Sequence, residues 1–358
     1  MYCSNYGVHT EGEDAPVSSS DYQRHTTTTT STTTNSNRND HLFDDPEMSL
    51  AEIERQRQQL ALHQKPDGSV YLLDVYETPQ QYGYCSILFS LVQTLVLVIM
   101  MWQCGIAPLT VNPMVGPPPD VLDYWGAKNT PKIVEDGEGW RLMTPMLLHA
   151  GIFHWMGNIS VQLETGLQFE CEWGSGVWCI VYLTSTVGSS ILSVIMMPQS
   201  LSVGSSGAVM GLFGAKLSEI LIRSCEPNKT LQQKVGHAMR KHQFILAGGG
   251  CILVMVFSFI PFVDWAAHLG GMVTGMTVGL MVFACHCRSH VGKLVWFVLG
   301  LGLTVVGFAV SLDYMYNSDN LEIVEELRDV CGYYQQFDED YECTCTLTNN
   351  QDDGGSGD

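Results

Sequence analysis

Gly204-Ser205-Ser206-Gly207 opens one apolar run of the chain, and His268-Leu269-Gly270-Gly271-Met272-Val273-Thr274-Gly275 opens another. Both runs are long enough to approach the width of a lipid bilayer. At that depth polar groups must find partners, and ionisable side chains usually face a protein-buried site or a wet cavity. A single serine in such a run is more often a packing residue that bonds back to its own helix, and a lone histidine is ambiguous. The pair together points to chemistry.

Working outward, seven apolar runs lie at 85–106, 145–163, 177–197, 206–222, 244–263, 265–283 and 295–312. Each is near the roughly 20 residues that cross hydrocarbon. The expected class is therefore an all-α polytopic membrane protein. Residues 1–84 form a cytosolic, largely disordered N-terminal region, 85–312 the helical membrane domain, and 313–358 an acidic, Cys-containing tail. Between the fourth and fifth runs lie Arg223, Lys229, Lys234, Arg240 and Lys241, and between the sixth and seventh lie Arg288 and Lys293. Short loops rich in Lys and Arg face the cytosol. The fourth and sixth runs then both start on the outer side, which places Ser206 and His268 at the same membrane face and the tail in the lumen or outside the cell. Loop 105–144 is too long to weigh in this rule, and Glu164, Glu170 and Glu172, read as a loop after the second run, add little.

Composition agrees with this division. The chain of 358 residues is 46% hydrophobic and 15% charged, and its formal charge of −20 comes largely from the two ends. That balance argues against nucleic acid as a partner. Thr26 to Thr34, broken only by Ser31, cannot bury enough apolar surface to order itself. No signal-peptide core stands near the start, and Glu11, Glu13 and Asp14 argue against a mitochondrial presequence, so the first run serves as the targeting element. Ser49 precedes Glu52 as in a capping box, and 49–63 reads as a short helix, a juxtamembrane collar or a partner-binding element. On the outer side, Cys331 is expected to bridge Cys343 or Cys345. Cys285-His286-Cys287 reads as unmodified thiols or a palmitoylation site in preference to a metal site, and no metal-binding constellation is visible.

Hydrolysis of a peptide bond by serine requires a base within hydrogen-bond reach, donors for the developing oxyanion, and water. Gly207 and Gly211 share one helical face, as do Gly271 and Gly275, and small faces let helices approach closely. That crossing brings Ser206 and His268 together. In the second run, His154 and Asn158 are four apart on one face and both can donate to an oxyanion; His149 precedes them.

Trp140-Arg141, His149 with His154 and Asn158, Gly166 through Glu170, the Gly-x-Ser-Gly around Ser206 and His268-x-x-Gly271-x-x-x-Gly275 occur in this order. Together they resemble the rhomboid intramembrane serine proteases, over about 140–279. The stretch 262–271 is similar to secretory-pathway rhomboids of eukaryotes. The resemblance implies a six-helix core plus one C-terminal transmembrane helix (6+1), with Ser206 as nucleophile and His268 as general base and acid in a dyad without a third carboxylate. It implies an oxyanion site from the His154 and Asn158 side chains and the Ser206 N–H, with Trp140, Arg141, His149, Glu170, Gly204, Gly207, Gly271 and Gly275 as scaffold. Its substrates would be single-span transmembrane proteins in the lipid bilayer, cut near the outer boundary with release of the ectodomain, and no cofactor or metal is implied. An extra helix after the core, not before it, implies the secretory pathway or plasma membrane. Asp264 reads as a loop cap with an orienting role for His268 as the lesser alternative, and Met210 departs from the aromatic residue common in the family. A catalytically silent rhomboid-like protein that binds membrane clients is the competing reading, and a seven-helix receptor leaves the dyad unexplained. Asn228-Lys229-Thr230 is a glycosylation pattern in a loop read as cytosolic, where it should stay unmodified.

Overall fold

The computed structural model describes residues 78–224, 226, 231–258, 263–317, 321, 323–336, 341 and 343. The expected helix at 49–63 and the Asn228 pattern lie outside the described residues. Among those described, the architecture is helical, and the sole strand-like pairing is an isolated antiparallel bridge between Lys128 and Ser202.

The long helices are α1 (Tyr84–Cys104), α2 (Ile152–Val161, continued through a π turn at Gln162–Gly166 into Leu167–Trp173), α3 (Ser175–Met196), α4 (Ser206–Arg223), α5 (Leu231–Phe257), α6 (Trp265–Phe283) and α7 (His290–Asn317). A short helix, α8 (Val330–Gln335), follows in the tail. Among the described residues, four helical segments are long and apolar enough to cross a membrane: Tyr84–Cys104, Ser175–Met196, Trp265–His286 and His290–Asn317. The 18-residue α4 differs because it carries Lys216, Glu219 and Arg223.

Two expectations are corrected. The second run does not begin its helix at 145: Pro145 lies in a 3-10 turn, Thr144–Leu147, and α2 starts at Ile152. The intervening backbone is packed against the loop ahead of it, where a Cβ on Gly151 would stand 2.3 Å from the Met114 carbonyl oxygen. Glu164, Glu170 and Glu172 are helical and not in a loop. Glu170 accepts the α1 backbone N–H groups of Cys85 and Ser86 at 2.8 Å each, and the Ser175 hydroxyl at 2.6 Å. Its carboxylate thus satisfies orphan donors at a helix start and has a reason to stay inside the fold. Glu172 pairs with the fully buried Lys216, which also meets Glu219 at 2.8 Å.

Several other polar side chains within apolar runs are likewise partnered, as an environment without water favours. Gln162 donates to Ser90 Oγ at 2.7 Å and accepts from the Tyr182 hydroxyl at 2.8 Å, while Gln93 donates to the Met146 carbonyl at 2.8 Å. This network ties α1, α2 and α3 together beside a core of Trp178, Tyr182, Met210 and Leu212. By contrast α7 lies at the periphery, with Leu294, Val298, Val305 and Val310 exposed. An outward apolar face of this kind suits lipid.

The centre of the fold is the crossing of α4, α6 and α3. A Cβ on Gly271 would stand 1.9 Å from the Gly207 carbonyl oxygen, and one on Gly275 would stand 1.9 Å from that of Gly211. Backbone touches backbone there, which no side chain larger than hydrogen permits.

Candidate active site

Ser206 is the first residue of α4. The loop that delivers it is held from several sides: Lys128 Nζ donates to the Met197 carbonyl at 2.8 Å and to Ser200 Oγ at 3.0 Å, and Gly204 N–H donates to the Pro145 carbonyl at 2.8 Å. Burial pushes the Lys128 ammonium down to about 8 despite the nearby Asp264 charge. Gly204 has φ +124°, and a Cβ there would stand 2.7 Å from His154 Cε1. Glycine at this position lets the chain pass over the imidazole in a conformation that L side chains rarely adopt.

His268 lies in the first turn of α6 and is 7% exposed. Its Nε2 is 2.7 Å from Ser206 Oγ. Its Nδ1 is 2.6 Å from the hydroxyl of Ser258, which follows the last residue of α5 and also lies 2.6 Å from the Val254 carbonyl. The network assigns the protons: Ser258 gives its own to Val254, so its oxygen accepts Nδ1–H, and Nε2 is left to accept from Ser206. Asp264 does not supply that contact. It caps α6 by accepting Ala267 N–H at 2.8 Å and takes hydroxyl protons from Ser193 and Ser202, in keeping with the capping reading over the orienting one.

His154 and Asn158 lie on α2 and line the same cavity, of about 720 Å³, as Ser206, His268 and Met210. His154 Nδ1 accepts the Ala150 N–H at 3.4 Å, so Nε2 carries the ring proton. Asn158 donates one amide hydrogen to the His154 carbonyl at 2.9 Å and keeps a second. His149 is fully buried behind His154, edge to face at 5.4 Å, and neither of its ring nitrogens has a hydrogen-bond partner among the described residues. Met210 is 1% exposed in the core.

The remaining sequence-predicted residues stand away from the Ser206–His268 pair. Arg141 fastens the loop before α2, donating to the Asp123 and Ala127 carbonyls at 2.7 and 3.0 Å, with its guanidinium 4.6 Å from the Trp140 ring centre. Glu170 is at the start of α1, as described above. Cys285, His286 and Cys287 lie in or beside a 3-10 turn, and among the described residues no group of three His, Cys, Asp or Glu side chains is arranged to hold a metal.

Two features escaped the sequence reading. Ser258 sits ten residues before His268 with no spacing rule to connect them, because the contact crosses from one helix to the next. Lys216 and Glu219, three apart inside an apolar run, were visible as an ion pair in waiting.

The sequence that carries these groups is similar to known proteins. Residues 136–285 match the Rhomboid domain. RHOMBOID-like protein 6, mitochondrial, of Arabidopsis thaliana is 33% identical over 231 residues, covering 60% of this chain and 72% of that protein. RHOMBOID-like protein 2 of the same plant is 33% identical over 228 residues, covering 60% and 69%. Rhomboid-like protease 2 of Toxoplasma gondii is 30% identical over 197 residues, covering 54% and 64%. The domain match contains Ser206, His268, His154 and Asn158, and with relatives matched over more than two thirds of their length the chain belongs to the rhomboid family, which includes proteases.

Proposed function

We propose that this chain is an intramembrane serine endopeptidase that hydrolyses peptide bonds in or near the transmembrane segments of single-span proteins. The observation that carries the reading is the 2.7 Å contact between Ser206 Oγ and His268 Nε2, inside a cavity that His154 and Asn158 also line.

The chemistry follows from the proton assignments. As Ser206 Oγ bonds to the scissile carbonyl carbon, its proton passes to His268 Nε2, and Ser258 holds the ring by Nδ1–H. The carbonyl oxygen becomes an oxyanion facing three donors: His154 Nε2–H, the free Asn158 amide hydrogen and the Ser206 N–H. The last is the first amide of α4, where a helix has no internal acceptor to offer and its dipole favours negative charge. Collapse breaks the C–N bond, and His268 gives its proton to the leaving nitrogen. Water then attacks the acyl-enzyme with His268 again as base, which restores Ser206. Acyl transfer by this route needs no metal or organic cofactor.

In the same reading α1 to α6 form a six-helix core and α7 is appended to it, the 6+1 arrangement, within a membrane domain spanning 85–312. The internal pairing of Lys216 with Glu172 and Glu219 supports α4 as a spanning helix despite its charges. The dyad faces the lumenal or extracellular side, with the N-terminus cytosolic. The Cys331–Cys343 disulfide fits a tail on the lumenal or extracellular side, and with α7 following the core this supports the secretory pathway or plasma membrane.

The test is labelling by a fluorophosphonate serine probe in membranes, with cleavage of single-span reporters, for wild type, Ser206→Ala and His268→Ala. Labelling and cleavage by wild type, lost in both variants, is the expected result. A folded wild type with neither moves the reading to a rhomboid-like protein that binds membrane clients without cutting them.

A further inference from the structure

The tail beyond α7 returns to the catalytic cavity. Leu327 and Val330 are buried, and Asn129 donates to the Leu327 carbonyl at 2.8 Å across 198 residues of chain. Arg328 pairs with Asp136 at 2.7 Å and with Glu135. The Tyr341 hydroxyl donates to the Asp120 carboxylate, in the short helix Pro119–Tyr124 of the loop before α2. Cys331 and Cys343 close the segment on itself. A peripheral helix end has thus become a docked element, held by a buried apolar contact, an ion-pair cluster, two hydrogen bonds to that loop and a covalent staple. Tyr333 and Tyr334 on α8 consequently line the same cavity as Ser206 and His268.

The geometry points to the tail as one wall of the substrate cleft, with Tyr333 and Tyr334 forming a subsite for an apolar substrate side chain on the extramembrane side of the scissile bond. This rests on the protease reading of the dyad. The chemistry of the wall favours an apolar occupant: besides the tyrosines, the cavity is lined by Val111, Pro113, Met114, Pro119 and Leu122. The cation in the cavity wall, Lys128, gives two of its three hydrogens to Met197 and Ser200 and has the Asp264 charge beside it, which weakens its pull on an acidic residue. Aromatic side chains combine a large apolar area with little rotamer freedom to lose, which suits them to gripping an extended peptide. The Cys331–Cys343 bridge adds a condition: recognition by this wall belongs to the oxidised protein.

The experiment uses the full chain in proteoliposomes. Reporters differ at one position outside the membrane next to the cleavage site, carrying Leu, Phe, Gly or Asp. For Tyr333→Ala with Tyr334→Ala, KM for the Leu and Phe reporters is expected to rise about tenfold, and preference over the Gly reporter to shrink by the same factor. Cys331→Ser with Cys343→Ser moves both in the same direction. Fluorophosphonate labelling of Ser206 reports whether the dyad is still assembled. Unchanged KM and selectivity in a labelled double variant overturn the subsite. Should the tyrosine variant fail to label, a photo-crosslinking amino acid at position 334 in Ser206→Ala decides the matter: crosslinks to the reporter at its extramembrane residues are expected, and their absence overturns the proposal. A wild type that neither labels nor cleaves removes the protease reading itself and the subsite with it.

Discussion

Gly271→Ala tests whether close helix crossing sets the catalytic geometry. The added Cβ would stand 1.9 Å from the Gly207 carbonyl oxygen and 2.7 Å from its carbon, whereas ordinary contact begins at 3.4 Å. Both partners are backbone within helices, so neither can rotate away, and α4 and α6 must part by about 1.5 Å locally. Gly271 is three residues from His268, and Gly207 is adjacent to Ser206, so most of that displacement reaches the dyad. The 2.7 Å contact then opens to about 4 Å, past the limit of a hydrogen bond. A misplacement of about 1 Å can remove 100-fold in rate, and a loss of at least about 100-fold in kcat/KM is expected. Overpacking should also cost about 1–3 kcal/mol of stability. The assay is reporter cleavage in proteoliposomes below the variant's unfolding midpoint, with Gly302→Ala and Gly307→Ala as controls. An added methyl at either control position meets open space, so both should cleave within about twofold of wild type. A folded Gly271→Ala that cleaves at the wild-type rate would refute the claim that this crossing positions the dyad.

Three further outcomes are expected. Ser258→Ala removes the acceptor for His268 Nδ1–H and should lower kcat about tenfold with little change in KM, one hydrogen bond's worth; Ser258→Thr should restore it, and an unaltered kcat and pH profile in the alanine variant would deny Ser258 a positioning role. Lys216→Met leaves Glu172 buried without its cation and Glu219 with Arg223 alone, and should cost about 3–5 kcal/mol, read as a fall in unfolding midpoint in detergent; an unchanged midpoint would mean that the Glu172 carboxylate is neutral or hydrated. Asn228, which lies outside the described residues, should carry no glycan when the chain is made in secretory membranes, and a glycosidase-sensitive mobility shift would invert the orientation argued from Arg223, Arg240 and Lys241.

The helical class was readable from run lengths, because apolar stretches near bilayer width report a solvent and not a contact. The ends of elements were less readable. Pro145 and Gly151 delay α2, and Glu170 is drawn into the fold by orphan N–H groups at the start of α1; both depend on what lies across space. The same division runs through the site. Ser206 and His268 could be picked out by the cost of polar groups in lipid, and the four-residue spacing of Gly207 and Gly211, Gly271 and Gly275 foretold a tight crossing, since helical periodicity is local. A bridge from Cys331 to Cys343 or Cys345 was likewise within reach of cysteine positions, although the choice of Cys343 was not.

What sequence alone determined, then, is what each helix can do by itself: its length, its small-residue face, the chemistry at its head. Only the tertiary structure decided which groups meet. Ser258 reaches His268 Nδ1 from the end of α5, Asp264 takes hydroxyl protons from Ser193 and Ser202, and the tail folds back onto the loop before α2 to bring Tyr333 and Tyr334 to the cavity. Each of these contacts joins separate elements, and no period of 3.6 residues encodes the distance between two helices.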